Sequence, residues 1–239
     1  MHYFPIALPF LLFIVFAVVV LIVLVEVGIL RYAYRKIGVG SRHMFALLLL
    51  SLLGSYVNIP VAELPAKEVY YGKPVTFFGM QYVIPFMAEA PRTIIAVNLG
   101  GAVIPTILSI YLLIKTRSYF RGILAIIVVT IVVHIMAQPV RGVGIAEPVF
   151  IPPLVAAGAA LLISRKHAPP LAYIAASLGT LIGADLLNLG KVQGLGAPVA
   201  SIGGAGTFDG IFVGGILSVL LASWVSKNEI PSGEDKKGA

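Results

Sequence analysis

Asp185 and Asp209 each stand inside an apolar run, in GTLIGADLLNL and IGGAGTFDGIF, and a Gly-rich stretch joins the two runs. A charged carboxylate at the centre of a bilayer costs on the order of 2.5–3.5 kcal/mol on insertion scales. Two of them on neighbouring segments are therefore expected to face a partner, a cavity or each other. Carboxyls that touch in a low dielectric cannot both ionise, so one proton is shared between them. One carboxylate can then activate water while its protonated mate polarises a carbonyl, which is the chemistry of aspartyl hydrolysis. The same pair suits proton- or cation-coupled transport. A pair that only holds helices together is the third reading.

The flanks point the same way. Gly179, Gly183 and Ala184 precede Asp185, and Gly203, Gly204 and Gly206 precede Asp209. They predict a seam of small residues on which the two backbones approach closely. Asn188, three residues beyond Asp185, falls on the same face of a regular helix and is expected to donate to the carboxylate. Asn58 before Ile59-Pro60, Asn98 before Gly100-Gly101, and His134 are further polar groups in apolar runs. With Gly204 and Gly206 they complete the candidate binding and supporting residues.

These residues need elements to hold them, and composition says which. The chain has 239 residues, 59% of them hydrophobic and 11% charged, with a mean hydropathy of +1.01. A soluble domain is about half apolar and about a quarter charged, so lipid must be part of this chain's solvent. Seven apolar runs, at 4–30, 44–61, 93–114, 122–137, 149–163, 171–189 and 206–224, predict an all-α bundle of about seven transmembrane helices. Residues 1–226 form one polytopic domain, and the polar tail 227–239 is expected to be disordered. Twelve of the 17 Lys and Arg lie in alternate segments, 31–43, 115–121, 164–167 and 227–239; Lys67, Lys73, Arg92, Arg141 and Lys191 lie on the other side. The positive-inside rule then puts the amino terminus outside the cell membrane and the carboxyl terminus in the cytoplasm. On that topology both aspartates sit roughly 21–23 Å above the inner edge of a core about 30 Å thick.

Two stretches between the spans are not helical. Residues 62–92 carry Tyr70, Tyr71, Phe77, Phe78 and Tyr82 around Gly72-Lys73-Pro74, which reads as a small hairpin or a short extracytoplasmic cap. Residues 138–153 are broken by Pro139, Gly142, Gly144, Pro148, Pro152 and Pro153 and also hold Arg141 and Glu147. They are expected to fold back over the bundle, because irregular backbone at membrane depth needs protein or water to satisfy it.

The runs around both aspartates, together with Asn58-Ile59-Pro60 and Asn98-Leu99-Gly100-Gly101, resemble a family of uncharacterised archaeal and bacterial multi-pass membrane proteins. That resemblance covers most of the chain and implies no activity. The same aspartates resemble those of intramembrane aspartyl proteases of the presenilin, signal peptide peptidase and prepilin peptidase type. It implies Asp185 as the first catalytic aspartate and Gly204-Ala205-Gly206 with Asp209 as the second motif. Three details depart from that pattern. Thr207 and Phe208 separate Gly206 from Asp209, Ala184 rather than a tyrosine precedes Asp185, and Pro152-Pro153-Leu154 lies upstream of the pair instead of a Pro-Ala-Leu beyond it. The substrate implied is a membrane-embedded or membrane-anchored peptide; the transport reading implies a small ion instead.

Other chemistries lack their residues. The chain has no cysteine, and its histidines at 2, 43, 134 and 167 are not spaced as metal ligands. No P-loop, dinucleotide fingerprint or His-Glu-x-x-His is present. No metal or cofactor is expected, and the scattered basic residues do not form a nucleic-acid surface.

Overall fold

The computed structural model describes residues 23, 27–77, 80–90, 92–140, 144–193, 195, 197–204 and 210–228, with 41–42, 67–77, 80–90, 210 and 227–228 described by their backbone. The expected first span at 4–30 and the tail lie almost wholly outside the described residues. So do Asp209 and Gly206.

The described chain runs through helix α1 (27–36), then α2 (Ser41–Gly54), β1 (Asn58–Leu64), β2 (Lys67–Phe77), β3 (Met80–Ala90) and β4 (Thr93–Asn98). A π-helical turn, Leu99–Val103, leads into α3 (Ile104–Thr116), followed by α4 (Tyr119–Met136), β5 (Gln138–Val140), β6 (Gly144–Ala146) and α5 (Ile151–Ile163). The helix α6 (Ala168–Thr180) passes through a π turn, Leu181–Asp185, and a 3-10 turn, Leu186–Asn188, into the short α7 (Leu189–Val192). β7 (Val199–Ile202) and α8 (Gly210–Asn228) complete the described chain.

α6 is the axis of the bundle and packs against α3, α4, α5 and α8. Nearly every residue from Ala168 to Thr180 is buried. Its composition explains how one helix can have neighbours on all sides: Ala168, Ala172, Ala175, Ala176, Ser177 and Gly179 take little room. α4 shows what surrounds the bundle. Its inner face is Gly122, Ala125, Val129 and Val133, all buried, while Ile123, Ile127, Ile131 and Ile135 face outward and are exposed. A helix exposed to water carries polar residues on that face. Here the larger apolar side chains are outside and the small ones inside, as in helices packed within lipid.

Among the described residues, three helical stretches are long and apolar enough to cross a bilayer: Leu99–Thr116, Tyr119–Met136 and Arg165–Val192. Shorter apolar helices run over His43–Gly54, Ile151–Ile163 and Ile211–Ser226.

The expected second and third spans are each cut short by a strand. β1, β4 and β7 form one sheet in that order, with β1 antiparallel and β7 parallel to β4. Thr93-Ile94-Ile95-Ala96-Val97 is apolar enough to have been read as the start of a helix, but its β-branched residues favour a pleated strand with partners on both edges. Asn58-Ile59-Pro60 likewise opens β1 rather than ending a span. Its register shifts between Pro60 and Ala62, where a residue without an N–H is tolerated. The hairpin expected in 62–92 is present as β2 and β3. Its ladder ends at the Phe77–Met80 pair, and Gly72-Lys73-Pro74 lies within it opposite Pro85, Ile84 and Val83. Residues 138–153 do fold back, as the β5–β6 ribbon, and α5 begins at Ile151.

The loops gather at opposite ends. Lys115 Nζ donates to the Gly38 carbonyl at 2.6 Å, and Arg121 lies 3.5 Å from Ser164 Oγ, so the basic loops meet at one end. The three-stranded sheet and Asp185 occupy the other.

Candidate functional site

Asp185 ends the π turn of the long helical run, where a wide turn displaces the side chains that follow it from their regular face. Its Oδ2 accepts the backbone N–H of Gly203 at 2.7 Å. Gly203 and the next residue, Gly204, have φ of +89° and +75°, in the left-handed region that favours glycine. A Cβ on Gly203 would also come within 2.6 Å of the Ala102 Cβ. The contact joins the helix carrying Asp185 to the end of β7, six residues before Asp209 in sequence.

Asp185 lines a cavity of about 550 Å³ with Thr180, Asn58, Ser201, Glu147 and Gly204 among its polar and small neighbours. Its other walls come from β7, from Gly144 and Ile145 of the β5–β6 ribbon, and from Leu189, Val192 and Ile211. The volume falls in the range of small-molecule sites, about 300–1,000 Å³. Sequence reasoning assigned no role to Glu147, Ser201 or Thr180. Glu147 was visible only as an acid in a proline-broken segment, and nothing in its spacing said that the ribbon would bring it to Asp185's cavity.

Asn58 and Asn98 meet. Asn98 Nδ2 donates to the Ser55 carbonyl at 2.8 Å and to Asn58 Oδ1 at 3.1 Å, while its Oδ1 accepts the Gly101 N–H at 2.8 Å. It thereby caps the π turn that opens the α3 run. Ser201 Oγ lies 2.7 Å from Asn58 Oδ1 and 2.5 Å from the Gly204 carbonyl, and its one hydrogen serves either acceptor. These bonds tie the end of α2, three strands and the Gly203-Gly204 turn into one polar junction beside the cavity. Gly54 and Gly100 make it possible: a Cβ on Gly54 would sit 3.0 Å from Gly100 N, and one on Gly100 would overlap the Ser51 carbonyl.

Asn188 and His134 form a second cluster. Asn188 is fully buried. It does not donate to the Asp185 carboxylate as helical spacing predicts. Its Nδ2 instead donates back to the Gly183 and Ala184 carbonyls, each at 2.9 Å. The reason is the sequence of turns: π and then 3-10 geometry carries Asn188 off the face that a regular helix would give it. His134 Nδ1 lies 3.3 Å from both the Gly183 carbonyl and Asn188 Nδ2.

The glycines before Asp185 also have a different neighbour from the one expected. A Cβ on Gly179 would meet Val129 at 2.6 Å, and one on Gly183 would meet the Thr130 carbonyl at 2.7 Å. They let α6 close on α4, not on the helix that follows Asp209. α8 approaches α6 through Gly215, beside Tyr173 and Ser177. Among the described residues, no group of three or more His, Cys, Asp or Glu side chains is placed to hold a metal.

Residues 52–221 match the model of a family described as "Protein of unknown function (DUF1614)". The chain belongs to that family. The stretch matching DUF1614 contains every candidate residue from Asn58 to Asp209. No curated protein and no solved structure matches the chain, so the resemblance to presenilin-type proteases gains no support from either comparison.

Proposed function

We propose that the chain is a multi-pass integral membrane protein of about seven spans that uses Asp185 and Asp209 as an intramembrane aspartyl hydrolase. The observation that carries this reading is the Asp185–Gly203 hydrogen bond at the wall of a cavity of about 550 Å³. It anchors the first carboxyl to the segment that leads to the second. Ile211, two residues beyond Asp209, lines the same cavity. In the proposed reaction, one ionised carboxylate takes a proton from water as the hydroxyl attacks a peptide carbonyl. The other, protonated, donates to that carbonyl oxygen. Return of a proton to the leaving nitrogen releases an amine and a carboxylic acid. The substrate is a membrane-anchored peptide entering near the outer face, with the amino terminus of the enzyme outside and its carboxyl terminus in the cytoplasm.

The test is cleavage of membrane-anchored reporter peptides by the purified chain in liposomes. Asp185→Ala and Asp209→Ala are each expected to abolish cleavage while the protein inserts and unfolds as the native chain does. Full cleavage by the double variant ends this reading.

A second reading rests on Glu147 and Asp185 lining one cavity. Two carboxyls on a shared path suit a proton- or cation-coupled carrier. Uptake of protons or sodium into liposomes that Asp209→Asn abolishes, with no cleavage of any reporter, favours that reading over hydrolysis. Variants of both aspartates that misfold rather than lose activity indicate a non-catalytic assembly protein.

A further inference from the structure

We propose that Asn188 and His134 are positioning residues that fix the turn carrying Asp185 from outside the cavity. This rests on reading Asp185 as the acid of the site. The helix has to change pitch twice in eight residues, from α to π over Leu181–Asp185 and to 3-10 over Leu186–Asn188. Each change disturbs the regular hydrogen-bond ladder, and buried carbonyls at such a junction need donors. The Asn188 amide supplies them to two consecutive carbonyls, those of Gly183 and Ala184, immediately before Asp185.

The amide is itself placed from α4. His134 Nδ1 is 3.3 Å from Asn188 Nδ2 and from the Gly183 carbonyl, so either neutral tautomer has a partner there. With Nδ1 protonated it donates to the Gly183 carbonyl and both amide hydrogens stay on the two carbonyls; with Nδ1 unprotonated it shares one of those two amide hydrogens. The close approach of Gly183 to the Thr130 carbonyl keeps the histidine within reach. Asn188 Oδ1 is buried with no protein partner. The whole of the amide's bonding is therefore spent on the turn and its histidine neighbour, and none of it on the carboxylate. Ala184, Asp185 and Thr180 line the cavity, whereas Asn188 and His134 do not. The two act on Asp185 only through the backbone that carries it.

The experiment measures modification of Asp185 by an apolar carbodiimide in the full-length chain in liposomes, followed by mass spectrometry, at a temperature where every variant is folded. This readout does not depend on hydrolysis or on Asp209, so the proposal can fail while the hydrolase reading stands, and the reverse. Loss of the amide donors frees the turn, and the rate of Asp185 modification is expected to rise about fivefold or more in Asn188→Ala, fivefold being the effect of one lost hydrogen bond where the amide donates two. Asn188→Leu keeps the volume and is expected to behave in the same way, so it decides the matter should the alanine variant not fold. His134→Leu is expected to raise the rate by less, and His134→Gln, which keeps a polar partner for the amide, to restore it. Val129→Ala loosens the same α4–α6 interface without touching these bonds and is expected to leave the rate unchanged. A native rate in folded Asn188→Leu, or an equal rise in Val129→Ala, overturns the proposal.

Discussion

The two halves of the long helical run Ala168–Val192 are built on different terms. From Ala168 to Thr180 the helix is regular, almost wholly buried, and surrounded by α3, α4, α5 and α8. From Leu181 to Val192 it changes pitch three times, exposes Leu186 and Leu187, and carries the polar residues Asp185 and Asn188. In the first half small side chains satisfy every neighbour and regular geometry suffices. In the second half Asp185 must reach the cavity and Gly203 while the helix stays pinned to α4 at Gly183. A wide turn achieves both, and the carbonyls it disturbs fall to Asn188. Irregular backbone at a carboxylate inside an apolar bundle is thus a local solution to two simultaneous contacts, and π turns recur at functional positions for this kind of reason.

Both halves belong to a bundle whose outer face is packed for lipid, and the largest expected effect tests that surround. Ile127 stands on the outer face of α4. Ile127→Asp is expected to cost roughly 3–4 kcal/mol of insertion free energy, the unfavourable aspartate plus the lost isoleucine, read as loss of membrane-inserted protein. A tolerated aspartate there would mean that α4 faces water. Next comes the pinning of the second half. In Gly183→Ala the new Cβ falls 2.7 Å from the Thr130 carbonyl, which cannot move aside as a flexible side chain can. A loss of about 2 kcal/mol is expected from overpacking, seen as a lower unfolding midpoint; an unchanged midpoint would show that α6 and α4 are not in contact at this level. The smallest effect sharpens the contrast. Gly190, seven residues on, has nothing within 4 Å of where a Cβ would stand. Gly190→Ala is expected to stabilise by about 0.5–1 kcal/mol, the helical preference for alanine over glycine.

Much of this was legible in the sequence, for reasons that also explain the failures. The apolar runs and the alternation of basic loops follow from composition, and the three long apolar helices and the meeting of the basic loops agree with them. The hairpin in 62–92 was visible, but its turn was not, because the aromatic residues around Gly72-Lys73-Pro74 drew the turn to a position that lies inside the ladder. Thr93–Asn98 and Val199–Ile202 are short apolar segments whose period cannot be told from a buried helix, so the sheet was missed. With it went the Asn58–Asn98 junction, although both asparagines had been singled out. Glycines announce that a backbone comes close without saying whose, and Gly179 and Gly183 proved to meet α4. The expected Asn188–Asp185 bond failed because three-residue spacing implies a shared face only while the helix keeps one pitch.

To act as a pair, Asp185 and Asp209 must reach the same point across the Gly203 turn. The absence of cysteine from the chain makes that directly measurable. A double variant, Asp185→Cys with Asp209→Cys, can form a disulfide only if the two Cα atoms lie within about 7 Å. Oxidation of the variant in liposomes, followed by mass spectrometry, is predicted to give rapid and nearly complete crosslinking between positions 185 and 209. Two thiols that each react freely with maleimide and never join would contradict the shared site and leave Asp185 to act without Asp209.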